Sequence, residues 1–168
     1  LLGRIDKSGK VTLADLGLDD KFLKTIDKII ITACGTAYHS GLIAKYAIEH
    51  WTRIPCEVEL ASEFRYRDPI LTPTTLVVAI SQSGETLDTL MAARLAKEKG
   101  AAVLAIANVM DGAIPRAADA RLYTRAGPEI GVASTKCFSV QVASLLMLAI
   151  WLGRRRGTLS AARSAELV

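Results

Sequence analysis

Aromatic side chains are scarce in this chain, at 5% of 168 residues, and histidine occurs only twice. The basic excess is small as well: 21 Lys+Arg stand against 17 Asp+Glu, and part of the +4 net charge sits in one run, Arg154-Arg155-Arg156. A nucleic-acid-binding face would interleave basic with aromatic residues, so nucleic acid is not an expected partner. No apolar run reaches the roughly 20 residues of a membrane-spanning helix. The longest, 137–152, is interrupted by Ser139, Gln141 and Ser144, which marks a buried core helix and makes a membrane an unexpected partner too. No charged segment leads into an apolar run and a small-residue cleavage site at the start. The three cysteines, Cys34, Cys56 and Cys137, form neither a CxxC pair nor an even set, and they suit a reducing cytoplasm better than a disulfide framework.

What is present can fill a core. Hydrophobic residues make up 51% and charged residues 23% of the chain, the balance and length of one ordinary globular domain. The first residue is Leu1, and 1–27, with its Ser8-Gly9 turn, reads as a connecting segment; a piece of a longer protein is expected. From there a unit recurs. Residues 29–33 form a β-branched run that stops at Cys34-Gly35-Thr36, after which Leu42, Ile43, Tyr46 and Ala47 recur at helical spacing as far as Trp51. Residues 56–60 alternate as a strand does, 61–66 suit a brief helix, and 76–80 run apolar into Ser81-Gln82-Ser83-Gly84 before a helix over 86–99 closed by Gly100. A third apolar strand over 102–107 stops at Asn108. A short helix near 114–118, a strand near 120–124, an irregular loop over 127–134 and a long helix over 135–152, closed by Gly153, complete the domain at 28–153. Residues 154–168 read as a linker into another helix. Strands that are apolar throughout, alternating with helices, predict an α/β fold: a mainly parallel sheet in a three-layer α/β/α sandwich.

In such a sheet, ligands sit outside the carboxyl ends of the strands, where turns into helices present unpaired N–H groups and the positive end of the helix dipole. Two turns fit, Cys34-Gly35-Thr36-Ala37 and Ser81-Gln82-Ser83-Gly84-Glu85-Thr86. The second offers three hydroxyls and an amide around one glycine, a neutral anion cradle. Neither GxxxxGK[ST] nor GxGxxG occurs, so a phosphomonoester suits the cradle better than a nucleotide. The competing reading is that these Ser and Thr residues only cap helices. A third candidate, Glu129-Ile130-Gly131-Val132-Ala133-Ser134-Thr135-Lys136, holds a carboxylate and an amine that sugar hydroxyls or a proton transfer could use; alternatively Ser134 or Thr135 caps the long helix and Lys136 faces solvent. Cys34, His39 and His50 read as structural, and the charged cluster Glu63, Arg65 and Arg67 as a surface or subunit contact. No metal site and no cofactor are expected.

The segments ACGTAYHSG, IPCEVELASEFRYR, ISQSGETLDTL and EIGVASTK, in this order, resemble the first of the two sugar isomerase (SIS) domains of the glutamine–fructose-6-phosphate aminotransferases. The likeness extends over 29–152. It implies a flavodoxin-like fold and a site for fructose 6-phosphate, which that family converts to glucosamine 6-phosphate with ammonia released from glutamine. Carried over by position, Ser81, Gln82, Ser83 and Thr86 would hold the phosphate with Thr36 nearby, and Val132 and Ser134 would contact the sugar. Many members have Ser where this chain has Ala37. The family's glutaminase cysteine, its acid/base residues and its Schiff-base lysine lie mainly in other segments, so no catalytic residue is expected here and Lys136 is not that lysine. The implied partners are a second SIS domain, a glutaminase domain and a second copy in a homodimer. A regulatory SIS module sensing a sugar phosphate, or a stand-alone isomerase using Glu129 and His39, are the alternatives.

Overall fold

A computed structural model describes residues 2–13, 16–131 and 133–168. A single 3-10 turn at Leu2–Arg4 and an antiparallel bridge between Ile5 and Val11 precede helix α1 (Asp20–Thr25). Strands β1 (Lys28–Ala33), β2 (Cys56–Leu60), β3 (Thr75–Ser81), β4 (Ala102–Ala107) and β5 (Ala120–Tyr123) then alternate with α2 (Gly35–Thr52), α3 (Ala61–Phe64), α4 (Leu87–Glu98) and α5 (Ala113–Ala117). Helices α6 (Lys136–Arg156) and α7 (Ala161–Glu166) follow.

All four strand pairings are parallel, in the order β2-β1-β3-β4-β5. Parallel neighbours need crossovers, and the crossover helices cover both faces of the sheet, which explains why β1, β3 and β4 are buried almost end to end. Successive side chains take opposite faces. Ile29, Ile31, Leu76, Val78, Ile80, Leu104 and Ile106 pack toward α2 and α6. Ile30, Val77, Ala79, Val103 and Ala105 pack toward α4, whose Ala92, Ala93 and Ala96 let it lie close. The fold class read from the sequence is therefore the observed one, an α/β/α sandwich.

Two features differ from the expectation. Helix α6 does not stop at Gly153 but runs one turn further, to Gly157 in the left-handed region at φ 76°. Gly153 marks a close approach instead: a Cβ there would lie 2.7 Å from the Trp51 carbonyl oxygen. The connecting stretch before β1 also supplies core, since Val11, Leu13, Leu16, Leu23 and Ile26 are buried with the α2 and α6 residues. Asp20 pairs with Arg155 at 3.0 Å, and Arg156 donates to the Leu23 carbonyl at 2.8 Å, tying that stretch to the end of α6. By length and composition α6 could cross a membrane, but Leu145, Met147, Leu148, Ala149, Ile150 and Leu152 are buried inside the domain.

Candidate functional site

Strand order reverses between β1 and β3, which are neighbours although β2 lies between them in the chain. At such a switch point the connections leave in opposite directions and open a crevice at the carboxyl ends of the strands. A cavity of about 230 Å³ occupies it here. Its wall is made of Cys34, Gly35, Thr36 and Ala37 from the start of α2, Ser81, Gln82, Ser83 and Thr86 from the β3–α4 turn, and Glu129, Gly131, Ser134 and Gln141 around the start of α6. Of the seven site residues expected from the sequence, Thr36, Ser81, Gln82, Ser83, Thr86 and Ser134 line this one cavity. Val132 lies outside the described residues. The volume is below the ~300–1,000 Å³ of drug-sized ligand pockets and matches a small polar ligand better than a dinucleotide.

The N-cap residues of the three helices that meet here, Cys34, Thr86 and Thr135, make no side-chain cap hydrogen bond. The first N–H groups of a helix lack intrahelical partners, so the starts of α2 and α4 bring positive dipole ends to the cavity, whereas the start of α6 is met by the Glu129 carboxylate. Thr86 illustrates the difference from ordinary capping: its Oγ1 hydrogen-bonds Ser81 Oγ at 2.9 Å across the turn. Ser81 Oγ also accepts the Gly84 N–H at 3.1 Å. Ser83 Oγ accepts the Glu85 N–H at 3.2 Å, leaving its proton for a ligand. Gly84 sits at φ +71°, and a Cβ would lie 3.3 Å from Gly112 Cα and Pro115 Cδ. Only glycine allows both that backbone and that contact. The turn is anchored from outside as well. Asn108 and Val109 N–H groups donate to the Gln82 carbonyl, the Ile114 N–H donates to the Gly84 carbonyl, and the Ala113 N–H donates to Glu85 Oε1.

The opposite wall is organised by one carboxylate. Glu129 accepts from Ser134 Oγ at 2.7 Å, Thr135 N at 3.1 Å, Thr135 Oγ1 at 3.0 Å and Cys137 N at 3.4 Å. Glu129, rather than Ser134 or Thr135, is thus the cap of α6. These bonds, led by that from Ser134, hold its carboxyl down at about 2. A carboxylate so acidic is a poor proton acceptor near neutral pH. It orients Ser134: with its proton committed to Glu129, that hydroxyl turns lone pairs toward the cavity. Burial, with the Glu129 carboxylate nearby, pushes the Cys137 thiol up to about 11, and burial pushes Cys56 to about 12, so both stay neutral thiols.

Of the residues read as structural, Cys34 is part of the cavity wall, whereas the two histidines are not. His39 and His50 are exposed on α2, and His39 meets the Tyr38 ring edge-on at 5.5 Å. Arg67 pairs with Glu59 and with Glu57, while Arg65 lies 3.9 Å from Asp88 and stacks on Tyr66. Two contributors were missed. Asn108 accepts from Thr124 Oγ1 and the Ala126 N–H and donates to the Gly127 carbonyl, coupling the two loops; a lone Asn at a strand end carries no sequence signal for that. Gln141 is 2% exposed on α6. Its signal was a polar residue within the buried 137, 141, 144, 145, 148 spacing.

A model of the SIS domain matches residues 22–151. The chain is 64% identical over 158 residues to the glutamine–fructose-6-phosphate aminotransferase (isomerizing) of Streptomyces coelicolor, covering 94% of this chain and 26% of that protein. It is 65% identical over 150 residues to the Mycobacterium tuberculosis enzyme of the same name, covering 89% and 24%. Among solved structures, the C-terminal domain of glucosamine-fructose-6-phosphate aminotransferase from Francisella tularensis superposes with a TM-score of 0.91 at 36% identity, over 98% of this chain and 47% of that one. The chain spans about a quarter of the length of the curated relatives it matches. On these matches and on its fold, it belongs to the SIS domain family.

Proposed function

We propose that this chain is the sugar-phosphate-binding half of the isomerase region of a glutamine–fructose-6-phosphate aminotransferase, and that it holds fructose 6-phosphate or glucosamine 6-phosphate without catalysing the reaction alone. The observation that carries this reading is the convergence of the α2 and α4 N-termini on a small cavity lined on their side by Thr36, Ser81, Gln82, Ser83 and Thr86, with Ser134 and Glu129 also in its wall. Such a wall supplies neutral donors to a phosphate dianion. The arrangement also orients the ligand. The phosphate goes to the 81–86 turn, because Glu129 is ionised across the cavity and repels it, and the hydroxyls of the sugar go to Ser134. Ala37 brings a methyl to the wall, so neighbouring N–H groups supply what a serine hydroxyl would add. Catalysis, a glutaminase domain, a second SIS domain and a homodimer partner belong to the longer protein in this reading. The cytoplasm is its compartment, in keeping with three free cysteines.

A stand-alone isomerase is less well supported. Its two candidate acid/base groups are a carboxylate held at about 2 as a helix cap and an exposed His39 outside the cavity wall.

Calorimetric titration tests the proposal. Fructose 6-phosphate binds, unphosphorylated fructose does not, and Ser83→Ala loses at least ~10-fold, since a hydrogen bond to a charged group contributes about 1.5–3 kcal/mol. Fructose and its phosphate titrating alike would refute the phosphate site. Glucosamine 6-phosphate formed by the chain from fructose 6-phosphate and ammonia would refute its dependence on other segments.

A further inference from the structure

The carboxyl ends of β3, β4 and β5 lie side by side, because Ser81 is in register with Ala107 and Ala107 with Tyr123. Asn108 is the next residue on the middle strand, between Gln82 and Thr124 on its neighbours. Its backbone and its side chain reach in opposite directions. The N–H donates to the Gln82 carbonyl at 3.1 Å, on the side of the 81–86 turn. The carboxamide turns to the chain leaving β5: Oδ1 accepts Thr124 Oγ1 at 3.1 Å and the Ala126 N–H at 2.7 Å, and Nδ2 donates to the Gly127 carbonyl at 2.8 Å. That chain passes through Arg125 and Gly127, both in the left-handed region at φ 52° and 76°. A residue with a Cβ, such as Arg125, keeps that backbone only where its surroundings hold it, and three bonds from one side chain hold it here.

We propose that Asn108 is a positioning residue for the sugar end of the cavity. It is not part of the cavity wall and acts through Glu129, which is. The carbonyl that Asn108 holds belongs to the peptide between Gly127 and Pro128. The ring of Pro128 fixes its φ at about −65°, and peptide units are planar, so ψ of Pro128 is the one soft dihedral between the held peptide and that of Glu129. Glu129 in turn accepts the Ser134 hydroxyl at 2.7 Å. Asn108 therefore sets where the Glu129 carboxylate stands, and Glu129 sets how Ser134 presents its lone pairs. The 81–86 turn does not share this dependence, because its tie to Asn108 is a backbone bond that any residue except proline keeps. The side chain thus governs the fit of the sugar, and the phosphate cradle stands without it.

This inference rests on the sugar-phosphate reading of the site, and the test separates the two. The 168-residue chain, Asn108→Ala, Asn108→Asp, Ser134→Ala and the double variant Asn108→Ala/Ser134→Ala are each titrated with fructose 6-phosphate and with inorganic phosphate. The readout is the ratio of the two affinities, because a general loss of stability or an added charge acts on both ligands alike. Both Asn108 variants lose ~5-fold in this ratio, within the range of coupled neighbours. Asn108→Asp keeps the size and the acceptors and gives up only the donor to Gly127, so it decides the matter should alanine loosen the fold. In the Ser134→Ala background, Asn108→Ala costs less than about twofold in fructose 6-phosphate affinity, because the contact it positions is already gone. Should inorganic phosphate bind too weakly to titrate, this cycle decides alone. A residue with only a structural role would leave the ratio unchanged, or add its full effect in the Ser134→Ala background; either result overturns the inference while the phosphate site stands. If the parent binds neither ligand, the reading of the site falls and the inference with it.

Discussion

The 81–86 turn and the 127–135 loop face each other across one cavity and are held by different physics. The first is held mainly by shape and neutral hydrogen bonds, with one further bond from the Ala113 N–H to the Glu85 carboxylate. Gly84 meets Gly112 backbone to backbone, Ser81 and Thr86 bond one another, and outside N–H groups pin both carbonyls. The second hangs on a single charge, with four donors converging on Glu129. A wall fixed mainly by sterics and neutral groups depends little on any one charge and tolerates the loss of one bond. A wall fixed by one carboxylate has one point of failure, and in exchange it orients a hydroxyl and biases where an anion can sit.

The largest effect should come from breaking the first wall where it is tightest. Gly84→Ala forces a Cβ into the left-handed region, at about 1–2 kcal/mol, and against Gly112 and Pro115, where overpacking costs about 1–3 kcal/mol. A loss of about 2–4 kcal/mol in urea unfolding, and ~5–15 °C in melting temperature, is expected, and a loss under about 1 kcal/mol would show that the turn is not sterically locked. Next comes the second wall. Glu129→Gln keeps the shape and removes the charge, so amide exchange at Thr135 and Cys137 should quicken and fructose 6-phosphate affinity should fall ~5-fold, while the Gly84 and Glu85 amides keep their protection. Equal deprotection of both loops would mean that they form one cooperative unit, joined through Asn108.

The smallest effect, and the sharpest on the contrast, is that of pH. The folded carboxyl of Glu129 lies at about 2, below its ordinary 4.5, so its ionised form favours the folded loop. That contribution is fully present above about 4.5 and is lost as pH falls toward and through about 2. The Thr135 and Cys137 amides should therefore lose protection in this window before Gly84 does. The same order in Glu129→Gln would show that another group governs the loop.

How much of this was readable in advance differs between the two walls. The Ser81-Gln82-Ser83-Gly84-Glu85-Thr86 turn announced itself, because hydroxyls, an amide and a glycine cluster within six residues and their bonds to one another are local. Its anchors were not visible: Asn108, Gly112 and Ala113 reach it from another connection. The 127–135 loop was visible as irregular and polar, but Glu129 read as a sugar or proton-transfer carboxylate and Ser134 or Thr135 as the cap of the long helix; the meeting of Ser134, Thr135 and Cys137 on the carboxylate makes Glu129 the cap instead. Gln141 was seen merely as a break in an apolar run. Gly153 looked like a helix stop because glycine often ends helices, whereas the approach of the Trp51 carbonyl gives it a different role.

The sequence by itself determined the five strands, the helices that follow them, their order and the two-sided burial of the sheet, though not α1, because hydrophobic periodicity and glycine turns act over a few residues. The tertiary structure decided which strands are neighbours, that the starts of α2, α4 and α6 share one cavity, and that Gly112 and the Ala113 N–H reach the 81–86 turn from another connection. Those facts depend on groups far apart in the chain meeting within about 3 Å, a distance that no local pattern encodes.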